Sequence, residues 1–219
     1  MSAISAEMVK QLRAQTGAGM MDCKQALAEA GGNFDQAIEV LRKKGLKDLS
    51  KRAGKTAAER TLGVYVHPGD QVVAIVELNC ETDFVARNDE FRALARDLAL
   101  HVAAMKPRFL TVEEIPEEVM AKEREIFEAQ MNEAQKAKAD KILPGKLEKF
   151  YEEAVLTRQI YVKDESGKQT IADLVNQLSV KCGEKVQIRR FSRYEVGEGI
   201  ERAAANLADD VAQTISQVQ

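Results

Sequence analysis

Apolar residues recur at helical spacing from the start of the chain. Met8, Val9 and Leu12 share one face of a first helix, with Ser5 in position to cap it. Thr16-Gly17-Ala18-Gly19 breaks that pattern. Cys23, Ala26 and Leu27 mark a second helix over about 20–30, stopped by Gly31-Gly32. Asn33 caps a third, which carries Phe34, Ala37, Ile38 and Leu41 and is ended by Gly45. Three helices this short, joined by turns this tight, predict a compact bundle with a small core.

The period then changes. Residues 62–67 and 71–79 read as two strands of a hairpin, turned by Pro68-Gly69-Asp70. From Val72 to Leu78 the second strand is apolar on both faces except at Glu77, which predicts a central strand covered on both sides. A long helix follows over 89–105, with Phe91, Leu94, Ala95, Leu98, Val102 and Met105 in register, ended by Lys106-Pro107. Pro116 precedes a helical stretch over 117–137, and Pro144 opens another with Leu147, Phe150, Tyr151, Ala154 and Val155. Residues 157–162 read as a strand or extended segment. Thr170 caps a helix with Ile171, Leu174, Val175 and Leu178 inward, and Gly183 stops it. Residues 185–195 predict a third strand, with Val186, Ile188, Arg190, Ser192 and Tyr194 on one face. Gln187, Arg189, Phe191 and Arg193 lie on the other. A terminal helix is expected over 200–217.

The fold class is therefore α+β: a three-helix N-terminal module, a small, mostly antiparallel sheet packed by helices, and a helical tail. The expected divisions are 1–45, a basic connector over 46–60, a core over 61–196 with a helical arm near 112–155, and a module over 197–219.

Composition narrows the classes. The 219 residues are 45% hydrophobic and 31% charged, which fits a folded chain rather than a disordered one. Net charge is -3, aromatics are 5% and Trp is absent, so neither direct nucleic-acid binding nor a stacking platform is expected. The N-terminal run lacks the apolar core of a signal peptide and the Arg-rich character of a transit peptide. No apolar run approaches the roughly 20 residues of a membrane span. A cytoplasmic protein without membrane contact is expected. Residues 42–60 hold eight basic and two acidic residues, either a solvated connector or a patch for an acidic partner. Residues 112–133 reverse this, with eight acidic and two basic.

Catalytic patterns are missing. No phosphate-binding loop, dinucleotide fingerprint, nucleophile elbow or metalloprotease motif occurs. Cys23, Cys80 and Cys182 are far apart, with only His67 and His101 to join them, so neither a zinc site nor any other cofactor is expected. Each cysteine reads as a small core residue and His101 as a structural one. A cysteine-dependent enzyme built on Cys80 and a ribosome-binding protein using the basic stretch are weaker readings.

One segment carries the functional case: Asn79-Cys80-Glu81-Thr82-Asp83-Phe84-Val85-Ala86-Arg87-Asn88, between the central strand and its helix. The residues alone allow two arrangements. Thr82 or Asn88 caps the helix while Phe84 packs inward, or Asp83 and Phe84 project from a rigid scaffold.

Three stretches resemble the signatures of the elongation factor Ts family: Thr82-Asp83-Phe84-Val85-Ala86-Arg87-Asn88, the run from Leu12 through Thr16-Gly17-Ala18-Gly19-Met20-Met21-Asp22-Cys23 to Leu27, and Arg193-Tyr194-Glu195-Val196-Gly197-Glu198-Gly199-Ile200. The resemblance implies a nucleotide exchange factor, not an enzyme, that releases GDP from elongation factor Tu. It implies a ubiquitin-associated-like N-terminal module, with Arg13, Met20 and Met21 on the partner's GTPase domain. Thr82, Asp83, Phe84 and Val85 would dislocate the partner's magnesium site. Tyr161, Val162 and Lys163 would meet its third domain. Longer members carry two related core copies. Here one is missing, which resembles short members that form homodimers.

Overall fold

A computed structural model describes residues 4–200. Helices α1 (Ala6–Thr16), α2 (Met20–Glu29) and α3 (Phe34–Arg52) form the N-terminal module around Val9, Leu12, Cys23, Ala26, Leu27 and Ala37. Ser5 and Asn33 cap α1 and α3 by accepting from the backbone N–H of Met8 and Gln36. Helix α3 does not end at Gly45. The missing side chain lets α3 lie against the helix over Ile171–Cys182, where a Cβ would stand only 3.3 Å from Val180. This tertiary contact outweighs the modest helical penalty of glycine, and much of the basic stretch becomes helix.

The core domain holds an antiparallel sheet of strands β1 (Glu59–Val66), β2 (Val72–Cys80) and β3 (Gln187–Glu195), in the order β1-β2-β3. Between β2 and β3 lie α4 (Asp83–Ala86), α5 (Asp89–Met105), α6 (Glu117–Ala129), α7 (Glu133–Lys136), α8 (Ala139–Ala154) and α9 (Ile171–Cys182). Alternate β2 side chains Ala74, Val76, Leu78 and Cys80 are fully buried against Phe91, Ala95, Leu98 and Val102 of α5, with Ile171, Val175 and Leu178 of α9 in the same core. Gly63 of β1 makes this packing possible, since a Cβ there would lie 1.8 Å from the Ala95 carbonyl oxygen.

Helices cover β2 on one face only. On the other, Val73 and Ile75 are half-buried, shielded by cross-strand neighbours Val66 and Tyr194, Val64 and Ser192. A strand hidden by its flanking strands reads in sequence like one buried by helices. The alternation expected for β3 also fails midway. A bulge sets both Arg189 and Arg190 opposite Glu77, shifting the register. Both guanidinium groups pair with the Glu77 carboxylate, at 3.4 and 2.7 Å. Ile188 therefore faces inward before the bulge, and Phe191 and Arg193 after it.

The arm differs from expectation in three places. The helix expected over 117–137 divides because Asn132 and Gln135 form a capping box that starts α7. Pro144 lies inside α8 rather than at its start. The carbonyl that loses its bond belongs to Asp140 in the exposed first turn, where it is open to solvent. Residues 157–162 form no strand. A 3-10 turn over Leu156–Arg158 and a single bridge between Ile160 and Thr170 replace it, because Gln159 turns inward and is 1% exposed. The terminal helix expected over 200–217 lies, but for Ile200, outside the described residues.

Candidate partner-binding site

Strand β2 ends at Cys80. The chain bends at Glu81, passes Thr82 in extended conformation, makes the single turn α4, and enters α5 behind Asn88, whose side chain accepts from the Glu90 N–H at 2.8 Å. Within that turn the side chains divide. Val85 and Ala86 pack on the core, whereas Phe84 is 84% exposed. Phe84 therefore does not pack inward. Asp83 lies beside it, half-exposed and paired with Arg87 at 3.1 Å. The sequence-predicted Thr82, Asp83, Phe84 and Val85 thus form one contiguous turn, with Val85 as its inner anchor.

Thr82 caps by position, but its side chain accepts no helical N–H. Its hydroxyl donates instead to Glu184 at 2.6 Å, and the Glu81 and Thr82 N–H groups both donate to the other oxygen of that carboxylate, at 3.1 and 3.0 Å. The arrangement is reciprocal. Glu81 accepts from the Lys185 N–H at 2.6 Å and pairs with Lys55 at 2.7 Å and Arg52 at 3.8 Å. The Lys55 ammonium, then the Lys185 amide, hold the Glu81 carboxyl below the usual range. The Lys185 ammonium donates to the Ala53 and Lys55 carbonyls at 2.7 and 3.0 Å, which ties in the end of α3. Sequence reasoning missed Glu81 and Glu184 as site residues. The only signal was Glu184-Lys185 between a helix-stopping glycine and a strand, about a hundred residues from the turn.

Cys80 is fully buried beneath the turn and its thiol donates to the Thr82 carbonyl at 3.2 Å. Burial, with Glu184 nearby, pushes its pKa up to about 11. A thiol so placed stays protonated at neutral pH and is a poor nucleophile, which speaks against the cysteine-enzyme reading.

The other predicted residues occupy two further surfaces. Arg13, in the last turn of α1, and Met20 and Met21, in the first turn of α2, flank the corner closed by Gly17. Arg13 is exposed, Met20 is 37% exposed and Met21 75%. Tyr161, Val162 and Lys163 lie along α5 at Asp97 and His101, roughly 12–18 Å from its N-terminal end by helical rise. Tyr161 packs partly on the core, and burial, then Asp97, pushes its hydroxyl pKa up. Lys163 pairs with Asp97 at 2.7 Å. The Val162 N–H donates to His101 Nδ1 at 3.2 Å, so the ring proton is on Nε2 and donates to Gln159 Oε1 at 3.0 Å. His101 is thus a buried strut for this segment, and burial lowers its pKa.

Among the described residues, no group of three His, Cys, Asp or Glu could hold a metal ion, and no helix is long and apolar enough to cross a membrane.

The family model described as Elongation factor TS matches residues 2–198. The elongation factor Ts of Myxococcus xanthus is 48% identical over 219 residues, covering 99% of this chain and 100% of that one. That of Desulforamulus reducens is 49% identical over 217 residues, covering 98% and 99%. That of Moorella thermoacetica is 52% identical over 199 residues, covering 90% and 97%. These relatives align with this chain over nearly their whole lengths, and with a family match from residue 2 to 198 this chain belongs to the elongation factor Ts family of translation elongation factors.

Proposed function

We propose that the protein is the guanine-nucleotide exchange factor for elongation factor Tu, working in the cytoplasm by binding rather than by chemistry. The observation that carries this reading is Phe84, a large ring 84% exposed at the tip of a turn held firmly at its base. A GTPase holds GDP largely through phosphate and magnesium contacts. An exchange factor need only bind the nucleotide-free state better than the loaded one, and it shifts affinity by that difference and no more. Insertion of Phe84 beside the partner's phosphate site, with the Asp83 carboxylate next to it, opposes the geometry that GDP and magnesium require. Arg13, Met20 and Met21 dock on the GTPase domain and Tyr161, Val162 and Lys163 on a separate domain, so the turn is delivered by contacts that do not themselves depend on nucleotide. The direct test is release of a fluorescent GDP analogue from elongation factor Tu with and without the protein. Acceleration that saturates with protein concentration is expected; an unchanged release rate refutes the reading.

A homodimer completes the proposal. The sheet face away from α5 presents Leu62, Val64, Val66 and Tyr194, all about half-exposed or more, around Val73 and Ile75. Such a contiguous apolar face on a one-core chain suits a second copy of itself.

A further inference from the structure

We infer that Glu184 is the positioning residue of the exchange turn, setting Asp83 and Phe84 in place before the partner is met, with Glu81 as its reciprocal half. The inference rests on the exchange reading above. A helix is ordinarily capped by a side chain at its own start. Here the Thr82 hydroxyl is turned away from α4, and a carboxylate 102 residues further on takes its place, accepting the Thr82 hydroxyl and N–H and the Glu81 N–H. These donors belong to the two residues immediately before Asp83. The clamp therefore fixes the base of the turn and leaves its tip free for a partner. Glu81 answers by accepting from the Lys185 N–H, so each of two adjacent loops holds the backbone of the other through a carboxylate. Lys185 carries the connection to the end of α3, and Lys55 and Arg52 of that region close it on Glu81. Module and turn are thereby tied to one another by charged hydrogen bonds, in addition to the packing of α3 on α9 at Gly45 and Val180.

A preorganised turn saves the ordering cost at the step where it inserts. Docking depends on Arg13, Met20, Met21 and Tyr161 to Lys163, which the clamp does not touch. Loss of Glu184 should therefore lower the maximal rate of GDP release and leave the half-saturating concentration nearly unchanged. The full-length protein and its Glu184→Ala, Glu184→Gln and Thr82→Val variants are compared by stopped-flow release of fluorescent GDP from elongation factor Tu over a range of exchanger concentrations. Amide hydrogen exchange is read at Glu81 and Thr82, with Val76 and Leu78 as core controls. Glu184→Ala should reduce the maximal rate by about tenfold, the scale of hydrogen bonds to a charged group, and speed amide exchange at Glu81 and Thr82 by a similar factor while Val76 and Leu78 stay protected. Glu184→Gln keeps an acceptor for the two amides and should retain most of both. A wild-type maximal rate in Glu184→Ala overturns the inference, as does unchanged protection at Glu81 and Thr82, or protection lost equally in the core. Should Glu184→Ala fail to fold, Thr82→Val decides, since it removes one of the three bonds: faster amide exchange at Glu81 together with a rate severalfold lower supports the clamp, and parental exchange at Glu81 or a wild-type rate refutes it. Absence of any effect of the unmutated protein on GDP release counts against the exchange reading itself, and the amide measurements still judge the clamp.

Discussion

Replacement of Phe84 by alanine should separate function from folding. A phenylalanine ring buries on the order of 150 Å² when fully enclosed. Phe84 is 84% exposed in the free protein, so nearly all of that area remains available to a partner and almost none of it supports the fold. At about 25 cal/mol per Å², enclosing it contributes roughly 3 kcal/mol to the inserted state. If that energy is realised only when the turn is inserted, losing it slows GDP release by about 100-fold. The thermal midpoint of the free protein should move by less than about 2 °C, because few contacts are lost. Stopped-flow release of fluorescent GDP from elongation factor Tu measures the first quantity and calorimetry the second. A release rate within about twofold of the parent, with a parental melting temperature, would refute the wedge assignment. A large drop in melting temperature would instead contradict the exposure of the ring. Val85→Ala is the internal contrast: its side chain packs on the core, so it should cost stability as well as rate.

Three further outcomes test the scaffold. Gly63→Ala places a methyl 1.8 Å from the Ala95 carbonyl, where ordinary contact begins near 3.4 Å, so α5 must retreat by about 1.6 Å; a loss of about 3 kcal/mol in urea unfolding is expected, and a loss below about 1 kcal/mol would contradict this packing. His101 is held neutral by burial, its pKa below the ordinary value of 6.5 against the opposing effect of its hydrogen bond to Gln159. It therefore contributes stability that is full above about pH 6.5 and is lost as pH falls toward its lower folded value, and His101→Gln should flatten the dependence of unfolding free energy between about pH 7.5 and 5.5. Val64→Asp, at an exposed position of the apolar sheet face, should convert a light-scattering mass of two chains to one; a parent protein that is already monomeric at micromolar concentration removes the dimer.

The elements set by local rules were legible in the sequence. Ser5, Asn33, Asn88 and Thr170 all cap where their side chains and the following apolar period demanded, and the hairpin turned at Pro68-Gly69-Asp70. What failed depended on partners distant in the chain. Gly45 reads as a stop until α9 is laid across it. The alternation of β3 reads as unbroken until Glu77 draws two consecutive arginines to itself. At the site, the periodicity supplied the strand and helix on either side of Phe84, but not the direction of the ring. That direction depends on Glu184 holding the backbone before it, a relation across 102 residues that leaves no local trace.

The bulge in β3 has a consequence for assembly. β3 is an edge strand, and a straight edge invites another strand to add to it by backbone pairing. Two adjacent arginines and a local break in the hydrogen-bond ladder spoil that template at midstrand. The molecule thereby discourages strand addition at β3, and the homodimer proposed above would use the flat of the sheet instead. A two-fold contact through that surface would close on itself after two chains, whereas one made through the edge would have no natural end.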